Sequence, residues 1–197
     1  MATYATLAQV KAALRITDAI DDTLLNTAIE ASSRWIDGWC GRDFTVASGT
    51  TTKDYAPSGR MEPLIVDDLT SVVSIKIDED LDRSFATTLN AIDYQLEPLN
   101  ALSFGNDWPY TRIRPQEDGY WPTSFDRATV RVEATFGWPA VPDAVEQATI
   151  LQTSRLFTRL DSPLGIAGFG DMGAMRVSFR GDPDVMMLLE PYRRAKL

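Results

Sequence analysis

The chain has 197 residues, 44% of them hydrophobic and 24% charged, enough for one buried core and too few for two large domains. It holds no histidine and a single cysteine, Cys40, which excludes an internal disulfide, a thiolate zinc site, histidine triads and the commonest general base. The formal charge of −9 is uneven, with 14 Lys and Arg against 24 Asp and Glu up to Ser162 and 5 against 4 beyond it, so the acidic body disfavours modules that grip a phosphate backbone.

No apolar run approaches the roughly 18 residues of a membrane span, and Met1 to Arg15 lacks the basic start and apolar stretch of a secretory signal. The protein is expected to be soluble, with no membrane partner.

In chain order, Thr6 and Gln9 form a capping box ahead of Leu7, Val10 and Leu14, which predicts a helix over 7–14. After a break at Thr17 to Asp22, either Asp21 or Asp22 caps a second helix over 22–40. Its Leu25, Ala28, Ile29, Ser32, Ile36 and Trp39 recur at helical spacing, and Gly41 ends it.

From about 44 to 138 the pattern changes to short alternating runs: "LIVDDL", "SVVSIKID", "YQLEP", "TRIRP" and "TVRVEATFGW". Turn residues separate them, which reads as an antiparallel β-module of five or six strands. Within it, "FGNDWPYTRIRPQEDGYWP" holds Phe104, Trp108, Tyr110, Tyr120 and Trp121. These aromatics either pack an ordered loop or form a contact surface for another protein.

A third helix follows over 143–160, with Pro142 in its first turn and Asp143 and Glu146 complementing its dipole. Val145, Ala148, Ile150, Leu151, Leu156, Phe157 and Leu160 spread around it, so it must be covered on more than one side, by its own chain or by a neighbouring subunit.

The stretch "GIAGFGDMGAM" has G-x-G-x-x-G spacing at Gly168, Gly170 and Gly173. A dinucleotide fingerprint leaves a strand and opens a helix, whereas here a helix precedes the glycines and strand-like "AMRVSF" follows. Gly165, Gly168, Gly170 and Gly173 are therefore read as a flexible connector, no cofactor is expected, and a nucleotide-binding enzyme is only a distant alternative. "DEDLDR" begins like a calcium loop but has Arg83 where glycine is needed and Leu89 where a bidentate glutamate belongs. It is read as a solvated turn, and neither catalytic nor metal-binding residues are expected.

At the end of the chain Asp182 is an N-cap and Pro183 the first helical residue. Val185, Leu188, Leu189 and Tyr192 make an apolar stripe, and Arg193, Arg194 and Lys196 complement the helix dipole. So short a helix needs a surface. It either folds back on its own body or docks in another subunit's groove, and the glycine-rich arm favours docking.

The ordered series "LAQVKAALRITDAIDDTLLNTAIEASSRWIDGWCGRDF", "LIVDDLTSVVSI" and "FGWPAVPDAVEQAT" resembles the head-tail connector (adaptor) proteins of long-tailed bacteriophages. The tail "RLDSPLGIAGFGDMGAMRVSFRGDPDVMMLLEPYRR" is similar to the longer members found in phages of actinobacteria.

The resemblance implies an α+β fold: a helical bundle with an inserted antiparallel β-module, a core over 1–162, and a connector and docking arm over 163–197. It further implies a structural, non-enzymatic virion protein at the capsid portal vertex, formed in the host cytoplasm. Such proteins form a ring, usually of twelve subunits, beneath the portal protein, with a stopper or other neck protein below and double-stranded DNA passing through without specific binding. A stopper or tail-completion role is the alternative. Carried onto this chain, the portal-binding face comprises Arg176, Asp182, Pro183, Val185, Leu188, Leu189, Tyr192, Arg193 and Arg194. Trp108, Tyr110, Tyr120 and Trp121 are the candidate contact for the next neck protein.

Overall fold

The expected capping box is present in the computed structural model, which describes residues 2–101, 108–116, 119–160, 166–168, 174–176 and 182–194. The Thr6 hydroxyl accepts the Gln9 amide at 3.3 Å, and Gln9 Oε1 accepts the Thr6 amide at 2.8 Å, which starts α1 (Leu7–Leu14). Helix α2 (Asp22–Cys40) buries Leu25, Ile29, Ser32, Ser33, Ile36 and Cys40, and ends at Gly41 with φ 66°. Asp21 occupies the N-cap position without a side-chain cap bond. Asp22 instead receives Lys11 Nζ at 2.6 Å, so the acidic start of α2 is tied to α1.

Helix α3 (Asp143–Leu160) begins where the Val145 and Glu146 amides donate to the Pro142 carbonyl. It is covered within the same chain by α1, α2 and the short helix α4 (Pro183–Leu189). Ala5, Val10, Leu25 and Ile29 form the centre of the packing, with Ile150 and Phe157 of α3 against them. Thr153 Oγ1 donates to Ser32 Oγ at 3.0 Å, satisfying two fully buried hydroxyls between α2 and α3.

The chain divides into two compact units, Met1–Phe44 with Val141–Leu197, and Thr45–Ala140. The described part of the expected arm, from Asp182 to Arg194, falls with the helices in the first unit.

The second unit is an antiparallel sheet of β1 (Thr51–Tyr55), β2 (Leu64–Ile77), β3 (Thr87–Thr88), β4 (Tyr94–Glu97), β5 (Tyr110–Pro115) and β6 (Val130–Phe136). The strand order is β1-β6-β2-β5-β4, with β3 on β2. The runs "LIVDDL" and "SVVSIKID" are one long strand. Its first half pairs with β5 and its second with β6, and register shifts around Leu69 let the strand bend between them. The exposed edge strand β1 has no hydrophobic alternation, so only its pairing with β6 defines it. Leu64, Val66, Ile75, Ile77, Ile113, Val130, Val132 and Ala134 close the core around Trp121.

Gly137 follows β6 at φ 120°, and an added Cβ would lie 2.6 Å from the Thr45 carbonyl oxygen. Gly137→Ala is expected to lower stability by more than about 1 kcal/mol, read as a lower urea midpoint.

Candidate functional site

Among the described residues, the glycine-rich stretch contributes two short strands. β7 (Ile166–Gly168) pairs antiparallel with β8 (Ala174–Arg176), placing Gly168 opposite Ala174. This corrects the reading of Gly168 as flexible connector, because the small residue sits in a paired strand. Gly165, Gly170 and Gly173, like Phe104 and Lys196, lie outside the described residues. Among the described residues, strand β7 is followed by strand β8, whereas a pyrophosphate cradle runs from strand to helix. Among the described residues no group of three or more His, Cys, Asp or Glu could hold a metal, and no helix is long and apolar enough to cross a membrane. Asp78, at the start of "DEDLDR", is buried and accepts the Asp82 and Arg83 amides, so it caps its own loop.

The C-terminal arm is the more informative surface. Asp182 accepts the Asp184 amide at 2.9 Å and Pro183 opens α4, as the sequence predicts. Arg155 on α3 lies 3.7 Å from the Asp182 carboxylate. Val185 and Leu189 are fully buried on α3's side of the unit, which corrects their placement on an outward docking face. A seven-residue helix is too short to hold alone, and these two side chains give it the surface it requires. Pro183, Met187 and Arg193 remain exposed, and Leu188 is half-buried.

A 3₁₀ turn, Glu190–Tyr192, carries the arm on to the C-terminal end of α2. Tyr192 meets Phe44 edge-on at 5.8 Å, Phe44 meets Tyr4 edge-on at 5.6 Å, and the Arg193 guanidinium sits 4.9 Å from the Trp39 ring centre. Trp39 stacks on Trp35, and the Arg194 amide donates to the Cys40 carbonyl at 2.8 Å. Arg176 lies on β8. Tyr4 from the start of the described chain and Tyr192 and Arg194 from its end therefore meet where α2 ends.

That meeting point shifts the groups within it. Tyr4 donates its hydroxyl to Asp37 Oδ1 and accepts the Phe44 amide at 2.9 Å, while Arg34 Nη1 lies 3.0 Å from Asp37 Oδ2. Burial, followed by the bond to Asp37, pushes the Tyr4 phenol up. Burial also raises the Asp37 carboxyl, against the lowering effects of the Tyr4 bond and Arg34. The Cys40 thiol is pushed up to about 12, chiefly by burial, so at neutral pH it is a protonated packing group and not a nucleophile.

The four aromatics of the candidate neck contact separate. Trp121 is fully buried, with Nε1 donating to the Glu62 carbonyl at 2.9 Å, which corrects its reading as a contact residue. Its indole fills the sheet core where a smaller side chain would leave a void. Trp108 packs at 5.3 Å against Trp138, and Tyr110 lies on β5 against the same core as Trp121. Tyr120 reaches outward, donating to Glu79 at 2.8 Å beneath the Arg60 guanidinium. Tyr4 and Phe44, the landing place of the arm, carried no periodic signal, because each lies just outside a helix.

Residues 4–84 match the family model described as phage gp6-like head-tail connector protein, so the expected resemblance holds over α1, α2, β1 and β2. The matched family is one of connectors, not enzymes. No curated protein matches the chain. Among solved structures, a chain from the neck of an empty gene transfer agent particle, computed with C6 symmetry, is similar at TM-score 0.55 and 20% identity. That match covers 97% of this chain and 90% of that one. A chain from the virion of a native gene transfer agent particle is similar at TM-score 0.55 and 20% identity, over 100% and 94%. One from the native neck computed with C12 symmetry gives 0.50 and 21%, over 97% and 89%. These likenesses show the fold along the length of the chain.

Because the arm's backbone caps the end of α2 beside Cys40, thiol reactivity reports whether the arm is seated. Leu189→Asp is expected to unseat it and raise the alkylation rate of Cys40 by iodoacetamide at least ten-fold over wild type at pH 8.

Proposed function

We infer that this chain, whose residues 4–84 carry the phage gp6-like head-tail connector signature, is a structural head-to-tail connector of a virion neck. The single observation that carries this reading is that the connector match and the neck-protein fold coincide in one chain. The C6 and C12 symmetries of the similar necks support a ring, twelve-membered by the family resemblance, seated at the portal vertex and extending the DNA channel. Helices and sheet supply a rigid wall, and no step of chemistry is asked of them.

The portal is the proposed upper partner, reached by the arm. Asp182, Pro183, Leu188, Tyr192, Arg193 and Arg194 are its contact residues, together with Arg176 of β8, while Val185 and Leu189 anchor the helix to its own subunit. A stopper or other neck protein is the lower partner. The formal charge of −9 supports passage of DNA without binding, since carboxylates facing a channel repel phosphates over a screening length of about 8 Å.

Pull-down with assembled portal, comparing the full chain, a chain ending at Ser162 and Met187→Asp on the exposed face of α4, tests this. Binding by the full chain alone supports both role and arm. Equal binding by all three leaves the role and removes the arm from it, and binding by none makes a stopper the better reading. Thermal shift with NAD, FAD and ATP is expected to show no stabilisation, and filter binding at low salt no retention of duplex DNA.

A further inference from the structure

The chain passes between its two compact units twice, at Phe44–Thr45 and at Ala140–Val141. Just inside the β-module the two passages are tied to each other. The Trp138 amide donates to the Thr45 carbonyl at 2.9 Å, the Ala47 amide donates to the Trp138 carbonyl at 2.7 Å, and Val46 and Trp138 form a parallel bridge. Trp138 is fully buried and its Nε1 donates to the Asp68 carboxylate at 3.1 Å, so this short ladder is anchored in the module. Whatever holds the residue before Thr45 therefore holds the ladder at its first rung.

That residue is Phe44, fully buried in the helical unit. Its amide donates to the Tyr4 hydroxyl at 2.9 Å, and the two rings meet edge-on. Tyr4 is itself fastened to α2, where its amide donates to Ser33 Oγ at 3.3 Å and its hydroxyl donates to Asp37. Phe44 is also met edge-on by Tyr192, at 5.8 Å. Tyr4 thus holds Phe44 from the body of the unit, and Tyr192 holds it from the arm. The two differ in how readily they open. Tyr192 is half-buried and lies beyond the buried Leu189, in a single 3₁₀ turn. A turn near the end of a chain opens at lower free energy than a core helix.

We infer that Tyr192 is a positioning residue for the β-module: its ring holds Phe44, so the seating of the last turn of the arm sets how firmly the passage into the module is held. Val185 and Leu189 keep α4 on α3 in either state, so the change is confined to the turn after the helix. The Arg194 amide on the Cys40 carbonyl and the Arg193 guanidinium beside Trp39 close the same turn onto α2. A partner that fastens Tyr192, Arg193 and Arg194 tightens Phe44, and through it the rungs at Thr45, Ala47 and Trp138. The state of the arm is thereby passed to the module through the chain itself. The part played by the portal rests on the connector reading, whereas the hold of Tyr192 on Phe44 does not.

The test is amide hydrogen exchange of the full chain, read by mass spectrometry on peptides that contain Ala47 or Trp138, with peptides around Ile29 in α2 and Ile113 in the sheet core as references. In Tyr192→Ala the Ala47 and Trp138 peptides are expected to exchange about ten-fold faster than in wild type while the references stay within about two-fold. Tyr192→Phe, which keeps the ring, is expected to exchange at the wild-type rate. Unchanged Ala47 and Trp138 peptides in Tyr192→Ala overturn the inference. So does an equal rise in the references, which marks a general loss of stability, or a Tyr192→Phe variant that behaves like Tyr192→Ala. Adding assembled portal to the wild-type chain is expected to slow the same two peptides by about ten-fold, and portal that binds without slowing them overturns the relay. If the wild-type chain does not bind portal at all, the portal reading fails, and the comparison of the free variants still decides whether Tyr192 holds the junction.

Discussion

The helical unit is organised by the need to cover α3, whose apolar side chains point to three sides. Helices α1 and α2 precede it in the chain and cover two of them; the third is met by α4, which arrives from the far end of the sequence. Burial of Val185 and Leu189, each worth about 1.5–3 kcal/mol by removal from water, holds a helix that could not persist alone. The return also brings Tyr192 and Arg193 onto Phe44 and Trp39, and so ties the described end of the arm to the end of α2. A protein built this way can present its C-terminal arm to a partner on one face only while the other remains committed to its own core.

The β-module follows a different logic. Its core is closed by Trp121, whose indole N–H is satisfied by a backbone carbonyl, and by a long bent strand that serves two neighbours. With Trp121 lent to the interior, the rest of the β5–β6 connection is free to hold a polar clamp and an exposed side chain, Phe125. The Asp126–Arg127 clamp shows how: the Asp126 carboxyl, held down to about 2 by Arg127 and Ser124, stays ionised across the neutral range and keeps the loop in shape. The structural role proposed above works by shape and surface, and the chain's lack of histidine, its protonated, buried Cys40 and the capped, buried Asp78 agree with that proposal.

Local sequence determined the elements whose signals are local. Capping chemistry at Thr6 and Asp182, the apolar periodicity of α1, α2 and α3, and the alternating runs of β2, β4, β5 and β6 are read from neighbours within a few residues, and each reappears in the fold. The resemblance to connectors over the first part of the chain was legible in the same way, as an ordered series of such elements. What the sequence did not disclose is which aromatic faces inward. Trp121 and Phe125 stand four residues apart in one irregular stretch, without a period to assign them, and only the closed sheet decided that one is core and the other exposed. The same holds for Gly168, which reads as linker until β7 meets β8. It holds also for the arm: whether an amphipathic helix at the end of a long connector lies on its own body depends on an unfilled face of α3, and that face exists only once α1 and α2 have packed.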